Sequence, residues 1–146
     1  MNTFPTKMLL ATDGSEEAEL ALRTAVTLAK SAASELHVVH VFPMDEGILY
    51  PAEVLKRDAE ETEQQAREFL DRQVRRVRDE GLVAVKSHYR KGRPANEIVK
   101  LNEELGVDLV VVGSRGLGGI RRALMGSVSD SVVRYAPCPV LTVRGK

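Results

Sequence analysis

Leu109-Val110-Val111-Val112 is an unbroken apolar run that stops at Gly113. It is rich in β-branched side chains, as expected of a strand in a parallel sheet covered on both faces. Five glycines follow between 113 and 126, the last directly before Ser127, Val128 and Ser129, where a helical pattern begins. Glycine admits positive φ and lets backbone N–H groups approach a ligand with no Cβ in the way. Ser127 is a good N-cap type, and a helix start carries unpaired N–H groups and the positive end of the dipole. Strand, glycine loop and helix start together make an anion site, most often for phosphate. A glycine loop alone is a weak signal, and a surface loop closed by a helix cap accounts for it equally well.

The rest of the chain repeats the strand-then-helix order. Lys7–Thr12 reads as a first strand ending at the turn pair Asp13-Gly14. Ser15 is placed to cap a helix whose stripe is Ala18, Ala21, Leu22, Ala25, Leu28, Ala29 and Ala32. A second strand spans Glu35–Val41, and the following stretch, Phe42 to Ala52, is longer than the usual connection of ~2–6 residues. From about Val54 to Glu80 a long charged helix is expected, with Glu63/Arg67, Glu68/Arg72 and Asp71/Arg75 as i,i+4 pairs on a solvated face. Its buried stripe is Ala59, Ala66, Phe69, Leu70, Val74 and Val77, with Gly81 as C-cap. A third strand runs from Val83 to Tyr89. A helix opens at Pro94, buries Ala95, Ile98, Val99 and Leu105, and stops at Gly106. After the glycine loop come a helix over Val128–Tyr135, ended by Pro137, and a fifth strand over Val140–Arg144. The alternation specifies a doubly wound α/β fold on a five-stranded parallel sheet with right-handed crossovers.

Composition narrows the function classes. The 146 residues are expected to form one domain, 1–146. The 21 basic and 21 acidic residues cancel, so no bulk attraction to nucleic acid or membrane is expected. Tryptophan is absent, and no run approaches the ~20 apolar residues of a membrane span. With a single cysteine and no signal-like N-terminus, a cytoplasmic location is expected.

Three separated stretches carry a family likeness. Gly113-x-x-Gly116, nine residues and then Gly126-Ser127 resembles the nucleotide motif of the universal stress protein family, in its ATP-binding branch. Leu9-Leu10-Ala11-Thr12-Asp13-Gly14-Ser15 and Ala136-Pro137-Cys138-Pro139-Val140-Leu141-Thr142-Val143 resemble the same family, in order and at matching spacing. The resemblance implies strand order 3-2-1-4-5 in an open α/β sandwich like the adenine nucleotide alpha hydrolase-like folds. It implies a site where the order reverses, between the first and fourth strands. Gly113, Gly116 and the Gly126 amide would meet ribose and phosphates, with the Ser127 and Ser129 hydroxyls and Arg115 beside them. Ala11, Thr12, Asp13 and Val41 carry over to the base and ribose end, with Val112 and Val128 alongside. Family ATP binders often have proline where this chain has Ala11, but the slot needs only a small apolar residue. The implied ligand is ATP, with Mg²⁺ held through the phosphates.

Each of these residues also has a plainer reading. Asp13 suits a turn ahead of a helix; Arg115, Arg121 and Arg122 suit solvent. His40 lies inside an apolar strand as a core or interfacial histidine. Cys138, between two prolines, reads as a small buried hydrophobe rather than a nucleophile. The last strand, residues 139–144, is an edge with few charges. The family answer is a homodimer pairing these strands antiparallel; a free edge shielded by Arg134, Arg144 and Lys146 is the alternative.

The chain has no His/Cys metal spacing, no Gly-x-Ser-x-Gly elbow, no Gly-x-x-x-x-Gly-Lys-Ser/Thr loop, and no acidic pair after the first strand. A regulatory ATP binder of the stress response with an unknown protein partner is the first reading, catalysis being at most slow ATP hydrolysis. A nucleotide-independent dimeric interaction module, a slow hydrolase, and a cyclic nucleotide as ligand stay open.

Overall fold

The computed structural model describes residues 4–44, 52–114 and 127–145, with backbone only for 52–62. Nine elements alternate: β1 (Lys7–Ala11), α1 (Glu16–Ala32), β2 (Glu35–Pro43), α2 (Ala52–Asp79), β3 (Val85–Gly92), α3 (Pro94–Leu105), β4 (Leu109–Gly113), α4 (Ser127–Tyr135) and β5 (Val140–Val143). The strands form one sheet in the order β3-β2-β1-β4-β5. Every pairing is parallel, with Met8 opposite Leu36 on one side and Leu109 on the other. The fold class and strand order are those the sequence implied.

The apolar runs of the central strands divide between two cores, because successive side chains on a strand point to opposite faces. Met8, Leu10, Val38 and Val111 pack with α1 and α2. Leu9, Val39, Val41, Val110 and Val112 pack with Ile98 and Leu101 of α3 and Val132 of α4. α1 starts where expected: the Ser15 hydroxyl accepts the Ala18 N–H at 3.2 Å, and Glu16, Glu17 and Glu19 lie in the first turn, where the dipole favours acids. Its buried face is mostly alanine, with Val26 buried although the stripe omitted it. Small side chains let the helix lie close on the sheet. The closest approach is at Gly113, where a Cβ would stand 2.8 Å from the Glu17 carbonyl carbon and 2.9 Å from the Ala18 nitrogen.

Three local expectations are corrected. Val83 does not belong to β3: it is 84% exposed, and the Val85 N–H donates to the Val83 carbonyl at 2.9 Å in a tight bend, so the strand starts at Val85. α3 packs Ala95, Ile98 and Leu105 on the core as expected, but Leu101 and Asn102 complete that stripe and are buried more fully than Val99. Of the expected α2 pairs, Glu63 and Arg67 reach other elements instead of each other. Glu63 pairs with Lys91 at 2.7 Å, Arg67 lies 4.0 Å over the Tyr89 ring, and Arg76 pairs with Glu19 of α1. A partner on another element competes well with an i,i+4 partner, whose pairing contributes only about 0.2–0.5 kcal/mol. Ala59 and residues 45–51 of the long connection lie outside the described side chains. Among the described residues no helix is long and apolar enough to cross a membrane.

Candidate functional site

The strand order reverses between β1 and β4, and the carboxyl ends of both stop there. Beyond β1 the Thr12 N–H still donates to Val39 O at 3.0 Å. Asp13 then turns the chain, its Oδ1 accepting the Ser15 N–H at 2.9 Å, with Gly14 at φ 83°. Asp13 is therefore a turn residue ahead of α1, and it is half-buried at the reversal point. Thr12 is 5% exposed, and among the described residues its Oγ1 has no hydrogen-bond partner. A buried hydroxyl in that state costs stability, and His37 Nε2, Gln73 Oε1 and Tyr89 Oη share it elsewhere among the described residues.

Ala11 packs on the core shared by Val41 and Val112. These three apolar residues lie on the α3–α4 side of the sheet. The end of β4 is tied down twice: Ser114 N–H donates to Val143 O, and the Ser129 hydroxyl of α4 donates to Ser114 O, each at 2.8 Å. Ser129 is buried, whereas Ser127 and Val128, the first residues of α4, are exposed. Ser127 is thus the first helical residue and not the cap. The structure brings Thr12, Asp13, Gly113, Ser114 and Ser129 to the two sides of the reversal. Arg115, Gly116, Gly118, Gly119, Arg121, Arg122 and Gly126 lie outside the described residues.

Three features were not legible in the sequence. A cleft of about 870 Å³ opens between α3 and α4 beyond the ends of β2 and β3, with Met44, Arg93, Val99, Ser131 and Tyr135 among its walls. Its volume is in the range of ligand pockets. His40 is more than a core residue: its Nδ1 hydrogen-bonds Thr12 O at 2.8 Å, and its ring meets Phe69 of α2 edge-on at 4.9 Å. A second histidine contact joins β2 to β3, with His37 Nδ1 2.8 Å from His88 Nε2. Both are signalled in sequence only by histidines in otherwise apolar strands, which names no partner. Cys138 is half-buried beside Asn102, and burial pushes its thiol above the ordinary cysteine value, the opposite of what a nucleophile needs.

The sequence pattern of the universal stress protein family matches residues 5–144. The chain belongs to that family. Universal stress protein YxiE of Bacillus subtilis is 37% identical, over 94% of this chain and 98% of its own. Among solved structures, the universal stress protein UspA from Lactobacillus plantarum superposes with TM-score 0.77 at 26% identity, over 95% of this chain and 97% of that one. A universal stress protein from Archaeoglobus fulgidus in complex with dAMP superposes with TM-score 0.66 at 27% identity, over 98% and 99%.

Proposed function

We propose that this universal stress protein is a regulatory adenine-nucleotide binder, holding ATP across the ends of β1 and β4. One observation carries the reading. At the reversal of the strand order the Thr12–Asp13 turn offers a carboxylate and a buried hydroxyl with no partner among the described residues, beside an apolar wall of Ala11, Val41 and Val112. These groups fit an adenosine: an apolar slot for the base and a carboxylate to accept from ribose hydroxyls. The relative from Archaeoglobus fulgidus is described in complex with dAMP, which supports an adenine nucleotide as the ligand class. The phosphates are assigned to Gly113, Arg115, Gly116, Gly126 and Ser127, with Val128 alongside the base and ribose and any Mg²⁺ held through phosphate oxygens; the Ser129 hydroxyl, expected at the phosphates, is buried and donates to Ser114 O instead. Pairing of β5 strands between two copies and a cytoplasmic location belong to the same proposal.

A second reading, a nucleotide-independent interaction module, is favoured by the packing at Gly113 and Ser129, since each residue type is accounted for without a ligand. Thermal unfolding of nucleotide-stripped protein with ATP, ADP, AMP, cyclic AMP and GTP, with and without Mg²⁺, separates the two. A ligand at 100 times its Kd adds ~2.7 kcal/mol, very roughly 5–10 °C for a domain of this size. An adenine-specific shift that disappears in Asp13→Ala and Gly126→Val supports the binder. No shift at millimolar nucleotide leaves the interaction module.

A further inference from the structure

We propose that His40 is a positioning residue for the Thr12–Gly14 turn, and through it for the nucleotide; the second half of this rests on the nucleotide-binding reading above. The pairing of β1 with β2 runs to Ala11 opposite Val39 and is extended by the Thr12 N–H to Val39 O bond at 3.0 Å. The Thr12 carbonyl then takes a side chain, the His40 Nδ1 at 2.8 Å. A carbonyl oxygen only accepts, so Nδ1 carries the hydrogen, and in the neutral ring Nε2 is left as the bare nitrogen. The bond therefore holds whether the ring is neutral or protonated.

From that carbonyl the bonds continue across the turn into α1: Asp13 Oδ1 accepts from Ser15 N–H at 2.9 Å, and Ser15 Oγ accepts from Ala18 N–H at 3.2 Å. His40 is the anchor of this series on the β2 side. Its ring also stands edge-on to Phe69, centroids 4.9 Å apart, and Phe69 Cε1 is 3.3 Å from the point a Cβ on Gly14 would occupy. α2 thus closes the turn from below while His40 holds it from the side. With Thr12 5% exposed, removal of the donor leaves a buried carbonyl unpaired and lets the turn carrying Asp13 seek another partner.

Ring and donor are separable. His40→Phe keeps an aromatic ring against Phe69 and removes the N–H; His40→Asn loses the ring and keeps an amide N–H near the Nδ1 position. Titrating ATP, AMP and cyclic AMP by calorimetry, we expect His40→Phe to bind at least tenfold more weakly. His40→Asn is expected to bind within about threefold of the parent, even with a lower melting temperature. Parent-like affinity in His40→Phe, or equal weakening in both variants, overturns the proposal. Amide hydrogen exchange at Gly14 and Ser15 is read in parallel without nucleotide: at least tenfold faster in His40→Phe, and parent-like in His40→Asn. If the parent binds none of the three nucleotides, the nucleotide reading falls and exchange alone decides the turn; equal exchange in all three proteins overturns it. Long-range ¹H–¹⁵N NMR on the parent needs no variant: a neutral ring protonated on Nδ1 supports the assignment, and one protonated on Nε2 overturns it.

Discussion

Gly113 has two explanations that predict different things. If its role is to let backbone approach a ligand, a methyl there harms binding and spares the fold. The structure puts the methyl 2.8–2.9 Å from backbone atoms of Glu17 and Ala18 instead, so α1 must shift. Gly113→Ala is therefore expected to lower the stability of the nucleotide-free protein by about 1–3 kcal/mol, as overpacking does. Chemical denaturation of the apo protein measures this; unchanged stability returns Gly113 to a purely ligand-facing role. The glycine was conspicuous in the sequence, but its reason was not. Sequence shows that a side chain is missing and not which atoms occupy its space. His40 is the converse case. A histidine in an apolar strand was read as a satisfied core residue, which it is, but its partner is a carbonyl 28 residues away at the corner of the site. Local pattern gives the face a residue lies on, and only the register of β1 against β2 gives its neighbour.

Most element bounds were legible to within a residue or two because most begin and end on local chemistry: Ser15 at the start of α1, Pro94 at the start of α3, Gly106 after it; β3 is the exception, running to Gly92, three residues past the expected Tyr89. The misses, Val83 and the α2 ion pairs, depend on neighbours distant in sequence. One helix end lacks the usual residue. Ala33 closes α1 in the left-handed region at φ 53°, ψ 44°, with its N–H on Ala29 O. Glycine adopts this conformation without a Cβ penalty. Ala33→Gly is expected to stabilise the protein by about 0.5–1 kcal/mol, or ~1–4 °C in melting temperature, read by calorimetry; a lower melting temperature contradicts the strain argument.

The β2–β3 contact makes stability depend on pH. Burial holds both His37 and His88 below the ordinary histidine value; Glu35 opposes this at His37 and Glu104 at His88, while Lys7, Lys86 and Arg90 reinforce it. The unfolded chain takes up protons at about pH 6.5. Below that, the unfolded state binds more protons than the folded one, so stability is full above about pH 7 and falls as the solution is acidified. Glu35 acts lower. Its bond to Lys86 lowers its pKa, so its contribution is lost only as pH falls below the ordinary carboxylate range. The double variant His37→Leu, His88→Leu is expected to flatten melting temperature against pH between about 7 and 5 and to keep the steeper loss below. An unchanged profile removes the pair as its source.

At the scale of the whole molecule, the two cores on either side of the sheet explain why the fold could be read so completely and the site only in outline. Period-2 and period-3.6 patterns report burial, and burial decides the layers. Site chemistry is decided at the carboxyl edge, where the five strands end, the four helices begin and periodicity stops. The sheet also separates consequences. His40 and Phe69 act from the α1–α2 side, while Val41, Val112 and the 870 Å³ cleft lie on the α3–α4 side. A change in either layer reaches the Thr12–Gly14 turn by a different route.

The bond from Ser129 to Ser114 gives the molecule a fixed mounting. It joins the first residue after β4 to the first turn of α4, so the two flanks of the intervening stretch are tied to each other. The frame's own contacts, Ser114 to Val143 and Val132 in the core, do not depend on what is inserted between. Residues 115–126 are in that sense a cartridge. Under the nucleotide-binding proposal, a different insert on the same chassis would change the ligand without rebuilding the sheet beneath it.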